Sequence, residues 1–253
     1  IAMMKCKKAL EETGGDMDAA VEHLRKQGLA TADKKADRAT NAGGLGVAYQ
    51  DGKGAIVLLS CETDFVSGNA EFKAFVDEIA QAALAAGAGD PEALAEAPMD
   101  GGTVKEAIVG KVAKMGENMQ LATVELVEGA VVTGYSHGGR VAALIAGEGD
   151  AGALRNVAMH VAAANPAPIA LGRDGVPAEM LDKERAIISE SDEIRSKPEH
   201  IRPKIVEGKL GRFYKEHVLL EQEMLVDNDD HSSVEKWAAG KGVAITAFKR
   251  LAV

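Results

Sequence analysis

At Gly43 the hydrophobic spacing of this chain changes from one that suits helices to one that suits strands, and from there a hairpin followed by a helix occurs twice. This repetition constrains the fold most, because an isolated hairpin is marginal until something packs on its apolar face. In the first unit Leu45, Val47 and Tyr49 alternate, Asp51-Gly52 suits a tight turn, and a second strand runs to about Cys61. Its segment Ala55 to Leu59 reads as a buried strand. A helix from about Asn69 to Ala86 then carries Phe72, Phe75, Val76, Ile79 and Ala83 on one face. In the second unit Val131 to His137 and Arg140 to Ala146 flank Gly138-Gly139, a turn expected to set His137 across from Arg140. The helix that follows carries Leu154, Val157, Ala158 and Val161 and stops at Pro166 and Pro168. The class is therefore α+β, with two related subdomains side by side.

Other segments fill in around these units. Thr103 and Glu106 form a capping-box signature opening a helix with Ile108, Val112 and Met115 along one side, ended by Gly116. A strand over Leu121 to Val127 follows. Upstream of Gly43, a short helix spans about Met4 to Glu12, and Asp16 can cap a second that carries Met17, Val21 and Leu24 and ends in a turn at Gly28. Two such short helices cannot close a core, so a further helix is expected upstream of Ile1. The polar stretch Ala30 to Ala42 reads as a linker or exposed helix. Pro177 to Leu220 reads as an antiparallel helical hairpin broken at Ser196-Lys197-Pro198. Its first arm carries Leu181, Ile187, Ile188 and Ile194; its second carries Val206, Leu210, Phe213 and His217, with Pro203 tolerable only in the first turn. Val243 to Val253 returns to strand-like composition, which makes the helical hairpin an insertion into the second subdomain.

Composition narrows the function. The net charge of -10 argues against a protein whose main partner is nucleic-acid phosphate. No stretch approaches the roughly 20 apolar residues of a membrane span. The two cysteines, Cys6 and Cys61, lack metal or redox spacing and suit a reducing compartment. Motifs for phosphate-binding loops, zinc hydrolases and serine hydrolases are missing, and Gly43-Gly44-Leu45-Gly46 precedes a strand where a dinucleotide loop would follow one. The six histidines show no ligand spacing. No catalytic residue, metal or cofactor is expected. One loop does stand out. Thr63, Asp64, Phe65 and Val66 put an acid and a bulky aromatic between the buried strand and the amphipathic helix. Most loop aromatics are packing anchors for their own core, and the other use is to enter someone else's.

Taken together, the segments resemble bacterial translation elongation factor Ts along nearly the whole chain. They are, in order, Met3 to Leu10 with Gly15-Asp16 and Leu24 to Gly28; Cys61-Glu62-Thr63-Asp64-Phe65-Val66; Lys114 to Asn118; Tyr135 to Arg140; Met159 to Ala163; and Lys204 to Leu210 with Phe213 to Glu216. The resemblance implies a UBA-like helical module and linker over 1–42 with its first helix missing. It implies a core subdomain over 43–128, a second over 129–176 and 221–253, and the inserted helical hairpin over 177–220. It further implies a cytoplasmic guanine-nucleotide exchange factor that binds elongation factor Tu carrying GDP and promotes GDP release without covalent chemistry. By the same resemblance, Thr63, Asp64, Phe65 and Val66 press on the partner's magnesium and phosphate site. Met3, Met4 and Lys7 would contact the same partner domain, supported by Met115 and Gly116. His137 and Arg140 would reach another partner domain, and Leu225 and Val226 complete the set despite irregular local spacing around Asp227 to Ser233. A homodimer or a 2:2 complex is compatible with the family. Two rival classes stay in view. One is an adaptor that binds through its N-terminal helices without releasing nucleotide; the other is an acid-base enzyme that needs Asp64 and His137 in one pocket.

Overall fold

The computed structural model describes residues 3–253, except for the side chain of Leu29. The chain begins with α1 (Met3–Glu12) and α2 (Met17–Asp33), then enters β1 (Ala42–Gln50), β2 (Lys53–Cys61), the single turn α3 (Asp64–Ser67) and α4 (Ala70–Ala86). Next come α5 (Pro91–Ala95), the short pair β3 (Pro98–Met99) and β4 (Gly102–Thr103), α6 (Val104–Met115) and β5 (Met119–Glu128). The second half holds β6 (Val131–His137), β7 (Val141–Glu148), α7 (Ala151–Ala163), α8 (Ala178–Glu190), α9 (Asp192–Arg195), α10 (Arg202–His217), α11 (Val234–Gly240) and β8 (Ala244–Ala252).

Two antiparallel three-stranded sheets, ordered β1-β2-β5 and β6-β7-β8, carry the architecture. In each, a hairpin is followed by a helix, and a later strand returns to pair with the hairpin's second strand. Helix α4 covers the outer face of the first sheet, where Phe72, Phe75, Val76 and Ile79 are buried; α7 covers the second with Leu154, Val157 and Val161. The remaining faces meet each other. Leu45, Ile56 and Val127 pack there against Val132, Ala142 and Leu144. This stacking explains a departure from the expected alternation, since Gly43, Gly44, Leu45 and Gly46 are buried in succession. At Gly46 a Cβ would come within 2.2 Å of the Val76 carbonyl oxygen, so this glycine lets α4 approach the strand.

Local signals are met where their partners are near in sequence. Asp51 and Gly52 adopt φ of 49° and 76° between the paired residues Gln50 and Lys53. Asn69 caps α4, the Thr103–Glu106 capping box is made in both directions, and Gly116 ends α6 in the left-handed region. The Gly28 turn is a correction. Helix α2 runs on to Asp33, because an isolated glycine costs a helix only about 1 kcal/mol and packing of α2 on α6 outweighs it. The expected extra helix upstream of Ile1 lies outside the described residues. The linker is not loose: Asn118 Nδ2 donates to the carbonyls of Ala36 and Arg38 at 3.1 and 2.9 Å.

Strand β8 joins the edge of β7, so the helical hairpin interrupts the path from α7 back to its sheet. Ile188, Ile194, Val206 and Leu210 form the hairpin's buried seam, and Pro203 sits in the first turn of α10. Ile187 does not join them; it is 57% exposed, one position round the helix from the seam.

Candidate functional site

The residues singled out around Thr63 do not form an open loop. Asp64 to Ser67 close one helical turn, with the Gly68 amide on the Asp64 carbonyl at 2.8 Å. Thr63 stands at the cap position but makes no side-chain capping bond, because its hydroxyl donates instead to Glu117 Oε1 at 2.6 Å. The Thr63 amide donates to the other Glu117 oxygen at 3.0 Å. Val66 turns inward against the first core, and Asp64 faces solvent. Phe65 is 89% exposed, which overturns the reading of it as an anchor for its own core. Beneath the turn, Cys61 is buried and donates to the Thr63 carbonyl at 3.2 Å. Desolvation, helped by the Glu117 carboxylate, pushes its thiol up to about 11, so it is protonated and unreactive at neutral pH.

Met115 and Gly116 lie immediately before Glu117, Met115 half-buried against the core and Gly116 exposed. They are thereby brought beside the turn. Lys35 Nζ donates to the Gly116 carbonyl. Met3 and Met4 are 85% and 70% exposed on α1, and Lys7 is exposed beside Glu11. They connect to the same region through α2, which packs on α6 and is joined to it by an Arg25–Glu106 pair at 2.8 Å.

The second-unit hairpin differs from expectation in one respect. His137 pairs with Val141, and Arg140 belongs to the turn itself, because both Gly138 and Gly139 have positive φ and the loop takes a third residue. The tip reaches the first sheet, with the Leu45 amide on the Gly139 carbonyl at 2.8 Å. A groove of about 370 Å³ between the two units is lined by Asp64, Ser67, Lys73, Asp77 and Arg140. His137 is not part of its lining; its ring meets the Tyr135 hydroxyl at 3.1 Å. Asp64 thus shares a groove with Arg140 rather than His137, and the pairing that the acid-base enzyme reading requires is not made.

Leu225 and Val226 lie apart, on the segment that follows α10. Leu225 is 57% exposed, and its amide donates to His160 Nδ1 at 3.2 Å. The His160 ring is buried, its other nitrogen donates to Gln222 Oε1 at 3.0 Å, and burial holds its pKa below the usual value. Among the described residues there is no cluster of His, Cys, Asp or Glu able to hold a metal, and no helix is long and apolar enough to cross a membrane. Two participants escaped the sequence: Glu117, whose pairing with Thr63 spans 54 positions, and Arg140 as a neighbour of Asp64. No spacing rule could have signalled either.

The site therefore presents a bare aromatic on a tied-down turn, with no convergent acid-base pair beside it among the described residues. Comparison with known proteins makes this specific. The family model for elongation factor TS matches residues 62–253. Elongation factor Ts of Hydrogenovibrio crunogenus is 43% identical over 256 residues, covering 99% of this chain and 86% of that protein. The protein of the same name from Xylella fastidiosa is 43% identical over 260 residues, covering 100% and 87%, and that of Psychrobacter cryohalolentis is 39% identical over 255 residues, covering 100% and 85%. The chain belongs to the elongation factor Ts family, and with it to the elongation factors of protein biosynthesis.

Proposed function

We propose that this protein is the guanine-nucleotide exchange factor of elongation factor Tu, binding the GDP form and driving GDP out by disturbing the magnesium and phosphate site. The observation that carries the reading is the near-complete exposure of Phe65 on a turn that is otherwise tied to the core. Burying a phenylalanine in a partner is worth roughly 2 kcal/mol, and spent on the release step alone this amounts to about 30-fold in rate. Linkage requires that a factor which weakens GDP binding be itself bound more weakly by the GDP form than by the empty one. Asp64 adds to the effect by repulsion near phosphate or by competing for the partner's donors.

Around this wedge, Met3, Met4, Lys7, Met115 and Gly116 serve the same partner domain, and their connection through α2 and α6 supports grouping them. His137, Arg140, Leu225 and Val226 serve a second domain. We assign the helical module and linker to 1–42, the two core subdomains to 43–128 and to 129–176 with 221–253, and the inserted hairpin to 177–220; the cytoplasm is the compartment. The test is release of a fluorescent GDP analogue from purified bacterial elongation factor Tu with this protein substoichiometric. Accelerated turnover that falls at least tenfold in Phe65→Ala is the expected outcome. Binding to elongation factor Tu without acceleration, persisting once the expected upstream helix is added back, would replace exchange by the adaptor reading.

A further inference from the structure

We propose that Glu117 is a positioning residue for Phe65, bracing the α3 turn against the C-terminal end of α6. The inference rests on the exchange reading above. Helix α3 is a single turn of 4 residues, and a turn that short has no stability of its own. Pressed against a partner, it would recoil unless something outside it held its position.

Glu117 meets the turn at its entrance. Its Oε2 accepts from the Thr63 amide at 3.0 Å and its Oε1 from the Thr63 hydroxyl at 2.6 Å, both charge-assisted bonds to the residue that leads into the turn. The neighbouring residues return the contact, Glu62 Oε1 accepting from the Asn118 amide at 2.7 Å, so the two segments hold each other in both directions. The far end of the corner is tied to the same helix. Glu71, in the first turn of α4, receives Lys111 at 2.8 Å and Lys114 at 2.6 Å. Phe65 therefore projects from a corner fastened at one end to Glu117 and Asn118, just past α6, and at the other to the last turns of α6. Both oxygens of Glu117 are engaged by Thr63, which suits a residue that acts through Phe65 rather than on the partner.

The test measures the maximal GDP-release rate and the half-saturating concentration of factor, using the full chain and elongation factor Tu loaded with a fluorescent GDP analogue. Wild type is compared with Phe65→Ala, Glu117→Gln, Glu117→Ala and the double variant Phe65→Ala with Glu117→Ala. Glu117→Ala is expected to lower the maximal rate about five- to twentyfold while half-saturation stays within about twofold. Glu117→Gln keeps one oxygen for the Thr63 hydroxyl and should fall between Glu117→Ala and wild type. The double variant should match Phe65→Ala, because the brace works only through that ring. A wild-type rate in Glu117→Ala, or losses that multiply in the double variant, would overturn the proposal. Should Glu117→Ala fail to fold, Glu117→Gln and its double with Phe65→Ala carry the same comparison. Wild-type exchange in Phe65→Ala is a different failure: it removes the exchange reading on which the brace depends.

Discussion

Phe65 contributes almost nothing to its own fold, since 89% of it faces solvent, so Phe65→Ala should change stability by less than about 0.5 kcal/mol. Urea denaturation of the variant checks this, and a large loss would mean that the ring supports the turn rather than serving a partner. His160 is the opposite case, buried and neutral, accepting the Leu225 amide at 3.2 Å with one nitrogen and donating to Gln222 at 3.0 Å with the other. Burial lowers its pKa, so on acidification the unfolded chain gains a proton before the native state does. This contribution is therefore fully present above the unfolded value of about 6.5 and declines as pH falls from there towards the lower folded value. The drop in melting temperature between about pH 7.5 and about pH 5.5 should be smaller in His160→Gln than in wild type. An equal drop would show that His160 is not the group responsible.

Among the elements, α4 packs close against β1, and Gly46 permits it. A Cβ there would sit 2.2 Å from the Val76 carbonyl oxygen, a backbone atom that cannot swing aside. Gly46→Ala should cost about 1–3 kcal/mol or more, read as a lower urea midpoint with an unchanged slope. The helical hairpin answers to different forces. Its base is closed where the Leu219 and Leu220 amides donate to Ala170 and Leu171 at 2.9 and 3.1 Å, and its outer part has its own seam of Ile188, Ile194, Val206 and Leu210. Its arms are antiparallel neighbours, about 8–10 Å apart, so a linker of about four residues can replace 182–211. The trimmed protein should keep the melting temperature of the two-sheet core to within a few degrees. A collapse of the core would show that the hairpin is needed to close it.

For the molecule as a whole, the decisive packing is sheet against sheet. Leu144 is fully buried between them among Ile56, Val127 and Val132. Leu144→Ala should cost about 2–5 kcal/mol and lower one cooperative unfolding transition shared by both units. Two separate transitions would instead mark the sheets as independently stable. The same stacking brings the β6–β7 tip to Leu45 and sets Arg140 on the groove that contains Asp64.

Turns, caps and helix starts were legible because their bonds close within a few residues: Asp51-Gly52, Asn69, the Thr103–Glu106 box, Gly116 and Pro203 all lie where the pattern puts them. The repeated hairpin and helix were legible for a related reason, since hydrophobic period depends only on local geometry. Helix α2 running past Gly28, burial of β1 on both faces, the outward turn of Ile187 and the bareness of Phe65 were not. Each depends on which surface another element covers. The pairing of Thr63 with Glu117 across 54 positions belongs with them. Short-range hydrogen bonding thus determined what the elements are, while the stacking of two sheets and the docking of α6 decided which side chains were left facing outward.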